Sequence, residues 1–541
     1  MAVAGEILML PFFGQGHLFP SIELCKHLSS RTFQTTLIIS SALSPSIPST
    51  LPHRHPLIRI SEIPCSAAPP PPPPEASAST EGPPSGDPFG RQHGQMGLGI
   101  ESLLSGRPEG SPRPVCAVID VMMSWSKEIF AKFGIPTVAF FTSGACSAAM
   151  EYATWMAGVD ELKPGDTRQL PGLPDDMAVS YFDLQHQHPP CGRHGAPGFG
   201  PPGGPPPMSR GFGADGPPPF GPGGPPAFGP GGPPAFGPGS GPPGSTKPSG
   251  KNFRGPPKPG SEPMWLHEVE GTIGLMMNTS HDLEGPFLDY VGQQMGKSVW
   301  GVGPLLPEQY WNSAGSVLHD RDIRPKKQSS HSEEEVIQWL DAKPQGSVLY
   351  ISFGSEVGPS EKEYAELASA LEESDKTFIW VVRPGSGRPG PPPEKGDEGY
   401  YPHGLEAKAG ERGLIIRGWA PQLLILSHPS TGGFLTHCGW NSTVEAIGRG
   451  VPMLAWPIRG DQFYNAKLVV SHLKLGHRVK ETDMSEMVKK DDIVKGIGKL
   501  MGDQGAKTRA MAIREKFVSG FPATSEVALD AFKNFVGAKT E

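Results

Sequence analysis

The sequence predicts two doubly wound α/β domains facing each other, and three observations carry that expectation. Short apolar runs alternate with helical patterns through the first half of the chain. Several of these runs are continuously apolar rather than alternating, as strands covered on both faces of a parallel sheet must be. The second half then repeats the arrangement, and two βα-rich halves imply two sheets, each flanked by helices.

Taken in order, the strands expected in the first half are Glu6–Phe12, Thr35–Ser41, Leu57–Ile60, Val115–Val121, Thr137–Thr142, Thr272–Asn278 and Ser298–Val302. Those of the second half are Ser347–Gly354, Thr377–Val382, Gly413–Arg417, Gly433–Thr436, Pro452–Trp456 and Gly476–Val479. The helix between the first two of the second set is signed by a capping box, Ser360 with Glu363. Tyr364, Leu367, Ala368 and Leu371 form its apolar face. The junction is expected within Gly303–Lys343, which is rich in Pro, Ser, Lys and Asp and poor in apolar residues. This divides the chain into a first domain over 1–302, a linker over 303–343 and a second domain over 344–515. In the remaining segment, 516–541, Ser525 is expected to cap a last helix, Glu526–Phe535.

The segment Gln187–Glu262 breaks the pattern. Phe220–Ala227 and Phe228–Ala235 both read FGPGGPPA, and a degenerate third copy starts at Phe236. Glycine does not fall at every third position, which excludes collagen. Too little of the segment is apolar to offset the entropy of ordering it. The expectation is a disordered loop, 187–262, inserted in the first domain. Two smaller Pro-rich stretches, Pro69–Pro74 and Pro384–Pro393, are expected to be solvated loops rather than PxxP ligands.

The 541 residues suffice for two or more domains. A net charge of -8 argues against nucleic-acid binding, which needs a basic stripe. Six scattered cysteines without a CxxC pair argue against a disulfide framework or a zinc site. The apolar run Ile7–Phe13 is too short and too promptly broken by glycine for a signal peptide, and no run is long enough to span a membrane. The expected compartment is the cytoplasm, so the Asn-x-Ser/Thr matches at Asn278 and Asn441 are taken as chance.

The chemistry is concentrated in Trp419–Gln462, WAPQLLILSHPSTGGFLTHCGWNSTVEAIGRGVPMLAWPIRGDQ. A strand ends at His437, a tight turn follows at Gly439, and a helix begins near Asn441. Backbone N–H groups and the helix dipole at such a start favour phosphate. His437, Asn441 and Ser442 add side-chain donors there. Glu445, one turn on, can accept two hydrogen bonds from a ribose diol, and Trp419 offers a flat face for a base. Asp461 and Gln462 supply the adjacent acceptors and donor that a hexose requires. In the first half, Pro11-Phe12-Phe13-Gly14-Gln15-Gly16-His17 lies between a strand and a helix. A residue at that turn points into the cleft at the carboxyl ends of the strands. His17 can act there as a general base, and Asp120 ends a second strand on the same expected edge. Phe12, Phe13, Trp125, Phe140 and Phe141 either line an apolar slot for a planar ring or belong to the core.

At this spacing, from the opening Trp to the closing Gln, the second-half motif resembles the 44-residue nucleotide-sugar box of the plant family 1 UDP-glycosyltransferases. The resemblance implies the GT-B fold and a role for each matching position. Trp419 would stack the uracil, and the Ala420 backbone would hold its edge. Gln422 and Glu445 would hold the ribose. His437, Asn441, Ser442 and Ser355 would hold the diphosphate. Trp440, Asp461 and Gln462 would address the sugar, and a closing Gln implies glucose. His17 would take the proton of the acceptor hydroxyl, with Asp120 stabilising the imidazolium. The implied reaction is one in-line, inverting displacement by a monomer. UDP-glucose is the co-substrate, there is no metal or other cofactor, and the acceptor is a small flavonoid or other phenolic. Terpenoids and phytohormones are the alternative acceptors.

The sequence departs from the family in the 187–262 insert and in Phe521-Pro522-Ala523-Thr524-Ser525, where Gly and Ser are usual. An NAD(P)-dependent oxidoreductase is the rival reading of Gly14-x-Gly16. It is disfavoured because Phe19-Pro20 replaces the third glycine and the second strand ends in Ser40-Ser41 rather than an acid.

Overall fold

The computed structural model describes residues 4–65, 88–109, 113–185, 260–313, 316–320, 323, 328–355, 357–387, 399–481 and 486–538. The described residues fall within one compact unit, inside 1–194 and 256–541. Most of the Gln187–Glu262 insert, the Pro69–Pro74 stretch and part of Pro384–Pro393 lie outside the described residues.

The first lobe is a parallel sheet of β1 (Gly5–Leu10), β2 (Phe33–Ser40), β3 (Ile58–Ile63), β4 (Cys116–Asp120), β5 (Thr137–Phe141), β8 (Leu275–Met277) and β9 (Val299–Gly301). Its spatial order is β3-β2-β1-β4-β5-β8-β9. A two-stranded hairpin, β6 (Thr167–Arg168) with β7 (Val179–Ser180), lies apart from it. The second lobe holds β10 (Val348–Ser352), β11 (Thr377–Val382), β12 (Gly413–Arg417), β13 (Thr431–Thr436), β14 (Met453–Ala455) and β15 (Gly476–Arg478), in the order β12-β11-β10-β13-β14-β15. All pairings in both large sheets are parallel. Thirteen strands were expected there and all are found. The continuously apolar runs are buried throughout β4, β5 and β10, as two-faced coverage by helices demands.

The helices that matter for the site are α1 (Gln15–Ser30), α2 (Ala145–Met156), α3 (Glu361–Glu373), α4 (Trp440–Arg449), α5 (Gln462–Lys467) and α6 (Ala523–Gly537). The capping box of α3 forms as expected. The Ser360 side chain accepts from the Glu363 N–H, and the Glu363 carboxylate accepts from the Ser360 N–H at 2.9 Å. Ser525 does not cap the last helix. Helix α6 begins three residues earlier than expected, at Ala523, after Pro522, whose fixed φ suits the residue before a first turn. Ser525 is fully buried and donates its hydroxyl to the Gly303 carbonyl at 2.5 Å. Helix α6 packs on the first lobe, where Phe532 and Phe535 meet Trp300 edge-on and Arg31 pairs with Glu526 and Asp530.

The two lobes share one apolar cluster. It runs from Ala139, Ala149 and Phe287 on the first sheet's side to Tyr350, Phe434 and Trp440 on the second's. The carboxyl ends of both sheets therefore open onto a common cleft.

Candidate active site

Gly14, at the end of the turn after β1, is the N-cap residue of α1, and His17 sits in the first turn of that helix. Asp120 is the last residue of β4, which lies beside β1, so both side chains emerge at the same sheet edge. His17 Nδ1 is 2.7 Å from Asp120 Oδ2. Asp120 is fully buried, and its Oδ1 accepts the Met122 N–H at 2.9 Å. A carboxylate can only accept, so the proton lies on Nδ1 and the Nε2 lone pair is left as the basic site. Thr142, one residue beyond β5, brings its Oγ1 to 2.9 Å from the same Nδ1. Sequence reading missed Thr142 as a site residue, since only the adjacency of β4 and β5 reveals it.

A cleft of about 110 Å³ gathers many of the residues expected to hold the donor. Ser355, Trp419, Ala420, Gln422, Asn441, Ser442 and Glu445 all line it, together with Gln15 and Gly16 from the first lobe. Gln422 Nε2 donates to Ser442 Oγ at 3.0 Å and to Glu445 Oε2 at 2.7 Å, and Gln422 Oε1 accepts from Tyr350 at 3.2 Å. Trp419 follows Gly418, whose φ is +89° and where an added Cβ would come within 2.6 Å of the Gln328 carbonyl oxygen. Asn441 Nδ2 donates to the Gly16 carbonyl at 3.1 Å, so the donor helix α4 touches the turn that carries His17.

His437 is held between Gly354 and Gly439, where an added Cβ on either glycine would come within 2.5 Å of the ring. Burial pushes its imidazolium down to about 3, so the ring is neutral near pH 7, and any bond it gives a diphosphate would be a dipole's rather than a charge's. Its Nδ1 has no hydrogen-bond partner among the described residues. Cys438 next to it adopts φ +62°, an uncommon conformation for a non-glycine residue. Asn465 Nδ2 holds the Cys438 carbonyl at 3.0 Å.

At the end expected to meet the sugar, Gln462 Oε1 accepts the N–H groups of Ile458 at 2.9 Å and Arg459 at 3.0 Å, which fixes the direction of its amide N–H₂. Asp461 Oδ2 accepts from Asn465 at 3.0 Å, and burial raises its carboxyl above the usual range. The Trp440 side chain is engaged elsewhere. The indole is buried, and its N–H donates to the Asn278 carbonyl at 2.7 Å across the lobes. Only the Trp440 backbone remains for a sugar. Asn278 itself is buried, with its amide engaged by Thr142 and Leu305, as the chance reading of its glycosylation motif requires.

Toward the acceptor side, Phe13, His93 and Trp125 stack in series, at 5.8 Å and 5.1 Å, and Phe12 lies edge-on to His17 at 5.2 Å. Phe140 and Phe141 are buried core residues. Two carboxyls join this region unannounced by any motif. Burial, then the Asp120 charge, raise Glu268 to about 7. Burial, then the Asp461 and Glu268 charges, raise Glu151 to about 8.

Two parallel α/β lobes with a cleft between their carboxyl edges define the GT-B fold. Residues 313–516 match the family model described as UDP-glucoronosyl and UDP-glucosyl transferase. UDP-glycosyltransferase 73C3 of Arabidopsis thaliana is 42% identical over 257 residues, 45% of this chain and 49% of that protein, so this match spans about half the relative's length. Anthocyanin 3'-O-beta-glucosyltransferase of Gentiana triflora is 28% identical over 537 residues, 94% of this chain and 93% of that one. UGT73P12 of Glycyrrhiza uralensis, solved with glycyrrhetinic acid 3-O-monoglucuronide, shares the fold at TM-score 0.67 and 23% identity, over 100% of this chain and 96% of its own. The chain is thus similar over residues 313–516 to the UDP-glucosyl transferase family model, and along nearly its whole length to a plant glucosyltransferase. Among the described residues no helix is long and apolar enough to cross a membrane.

Proposed function

We propose that this protein transfers glucose from UDP-glucose to a hydroxyl of a small phenolic acceptor, with a flavonoid as the first choice, and inverts the anomeric centre. The observation that carries the reading is the His17–Asp120 pair at 2.7 Å, set on the turn whose Gly16 carbonyl holds Asn441 of the donor helix. The acceptor oxygen forms its bond to the anomeric carbon as the bond to UDP breaks and UDP leaves with the electron pair. The acceptor proton passes to His17 Nε2, and the Nδ1–H···Asp120 bond stabilises the imidazolium so formed. Fixed donors around the N-terminus of α4 meet the charge that grows on the diphosphate.

Support for glucose comes from Gln462, whose amide N–H₂ is aimed by two backbone bonds, and from the glucosyl donor named for the Gentiana relative. Support for a phenolic comes from the Phe13–His93–Trp125 stack and from the anthocyanin acceptor of that same relative. UDP release with mixed phenolics, followed by mass spectrometry over an acceptor library, tests the reading. Acceptor-dependent UDP release and a hexosylated phenolic are expected. A preference for UDP-galactose or UDP-glucuronate overturns the donor assignment, and no turnover with any phenol overturns the acceptor class.

A further inference from the structure

Asp183 lies in the short helix Tyr181–Gln185 of the first lobe, just after β7, far in sequence from every donor residue. Its Oδ2 accepts from Lys467 Nζ at 2.9 Å, from the Ser180 N–H at 2.9 Å and from Ser180 Oγ at 3.0 Å, and its Oδ1 accepts from Arg478 Nη2 at 2.6 Å. The three charged side chains are only 8%, 7% and 18% exposed, so solvent screens their attraction little. Two cations on one carboxylate, led by Arg478, hold it well below the usual range despite the opposing cost of burial. Lys467 ends α5 and Arg478 ends β15, both in the second lobe. One first-lobe carboxylate therefore fastens two elements of the donor lobe.

Helix α5 is what this clamp controls. Its N-cap is Asp461 and its first residue is Gln462, the two groups proposed to address the sugar. Asn465, one turn on, holds the Cys438 carbonyl in the phosphate-side turn. The helix has only six residues, so a displacement at Lys467 is carried to Gln462 nearly undiminished. Two further ties from the first lobe hold the same segment. Cys146 Sγ lies 3.7 Å from the Tyr464 carbonyl, and Asp176 bonds His472 at 2.9 Å. The residues proposed to hold uracil, ribose and diphosphate, Ser355 and those from Trp419 to Glu445, lie outside α5.

We infer that Asp183 is a positioning residue for the sugar half of the donor: by clamping Lys467 and Arg478 it sets α5, and with it Asp461 and Gln462, against the first lobe. This deepens the proposed donor assignment and rests on it. A purely structural ion pair would affect stability and all ligands alike. A positioning clamp separates the sugar from the nucleotide.

The test compares binding of UDP-glucose and of UDP by calorimetry in the wild type, Asp183→Asn and the double variant Asp183→Asn/Lys467→Met. In Asp183→Asn, UDP-glucose affinity is expected to weaken about ten-fold while UDP affinity changes less than about two-fold, because Asp461 and Gln462 sit on α5 itself whereas the helix reaches the phosphate-side turn only through the Asn465–Cys438 bond. The double variant removes one stranded cation and should recover folding yield without recovering the sugar-specific loss. It carries the same comparison should Asp183→Asn alone not fold. Equal weakening of both ligands, or an unchanged UDP-glucose to UDP ratio in either variant, overturns the clamp. If the wild type binds neither ligand, it is the donor reading that fails.

Discussion

At the residue scale the dyad makes the sharpest demands. His17→Ala removes the base but none of the donor contacts. Turnover on a weakly acidic alcohol is expected to fall on the order of a hundred- to ten-thousand-fold, with UDP-glucose binding retained. An acidic phenol, which ionises unaided, should show a smaller loss, and comparing the two acceptors by initial rates checks the assignment. Asp120→Asn is nearly isosteric but offers an N–H to Nδ1, so the imidazole is driven to the tautomer with its proton on Nε2 and the base is blocked. Turnover should collapse as it does for His17→Ala, although the fold is kept. Gln462→His removes the carbonyl that the Ile458 and Arg459 N–H groups hold. The preference for UDP-glucose over UDP-galactose should narrow in direct competition, and an unchanged ratio would remove Gln462 from donor selection.

At the element scale, what was legible in the sequence was whatever leaves a local trace. Buried parallel strands announce themselves as unbroken apolar runs such as Leu349–Ile351 and Val118–Ile119, and the α3 capping box needs only residues three apart. The donor box was legible because strand, turn and helix are consecutive in the chain. Pairings between distant segments leave no such trace. Thr142 beside His17, Glu284 accepting the Ala145 and Cys146 N–H groups at 2.9 Å each, and Asp183 on Lys467 all depend on which elements become neighbours. Ser525 was misread for the same reason, because it has a plausible local role that a long-range hydrogen bond overrides. Trp440→Phe keeps the ring packed at the N-terminus of α4 but strands the Asn278 carbonyl. A cost of about 1–3 kcal/mol is expected, read as a lower denaturation midpoint without loss of the α/β circular dichroism.

At the scale of the whole molecule, the buried titratable groups write opposing slopes into stability. His437 is pushed down to about 3 by burial, with Arg383 and Arg459 adding to the effect. Its native pKa lies below its unfolded value, so it carries no penalty above about pH 6.5. As pH falls from there, the unfolded chain takes up a proton that the native ring refuses, and stability is lost until about pH 3. At pH 5 the loss from this one group is about 2 kcal/mol. Glu151 and Glu268, raised to about 8 and about 7, act in the other direction. Below about pH 4.5 they are protonated in both states, and as pH rises the unfolded chain ionises first and gains. Between about pH 4.5 and 6.5 the two buried acids together therefore outweigh the one buried histidine, and each acid alone roughly cancels it. Urea titrations of the free protein at pH 5, 6 and 7 separate the two contributions. His437→Gln, which cannot titrate, should lose less stability than wild type between pH 7 and 5, by about 2 kcal/mol. Glu151→Gln should gain on wild type as pH rises from 5 to 7. Parallel pH curves for His437→Gln and wild type would mean that the imidazole titrates freely in the native state, and the neutral-donor role assigned to it at the diphosphate would go with it.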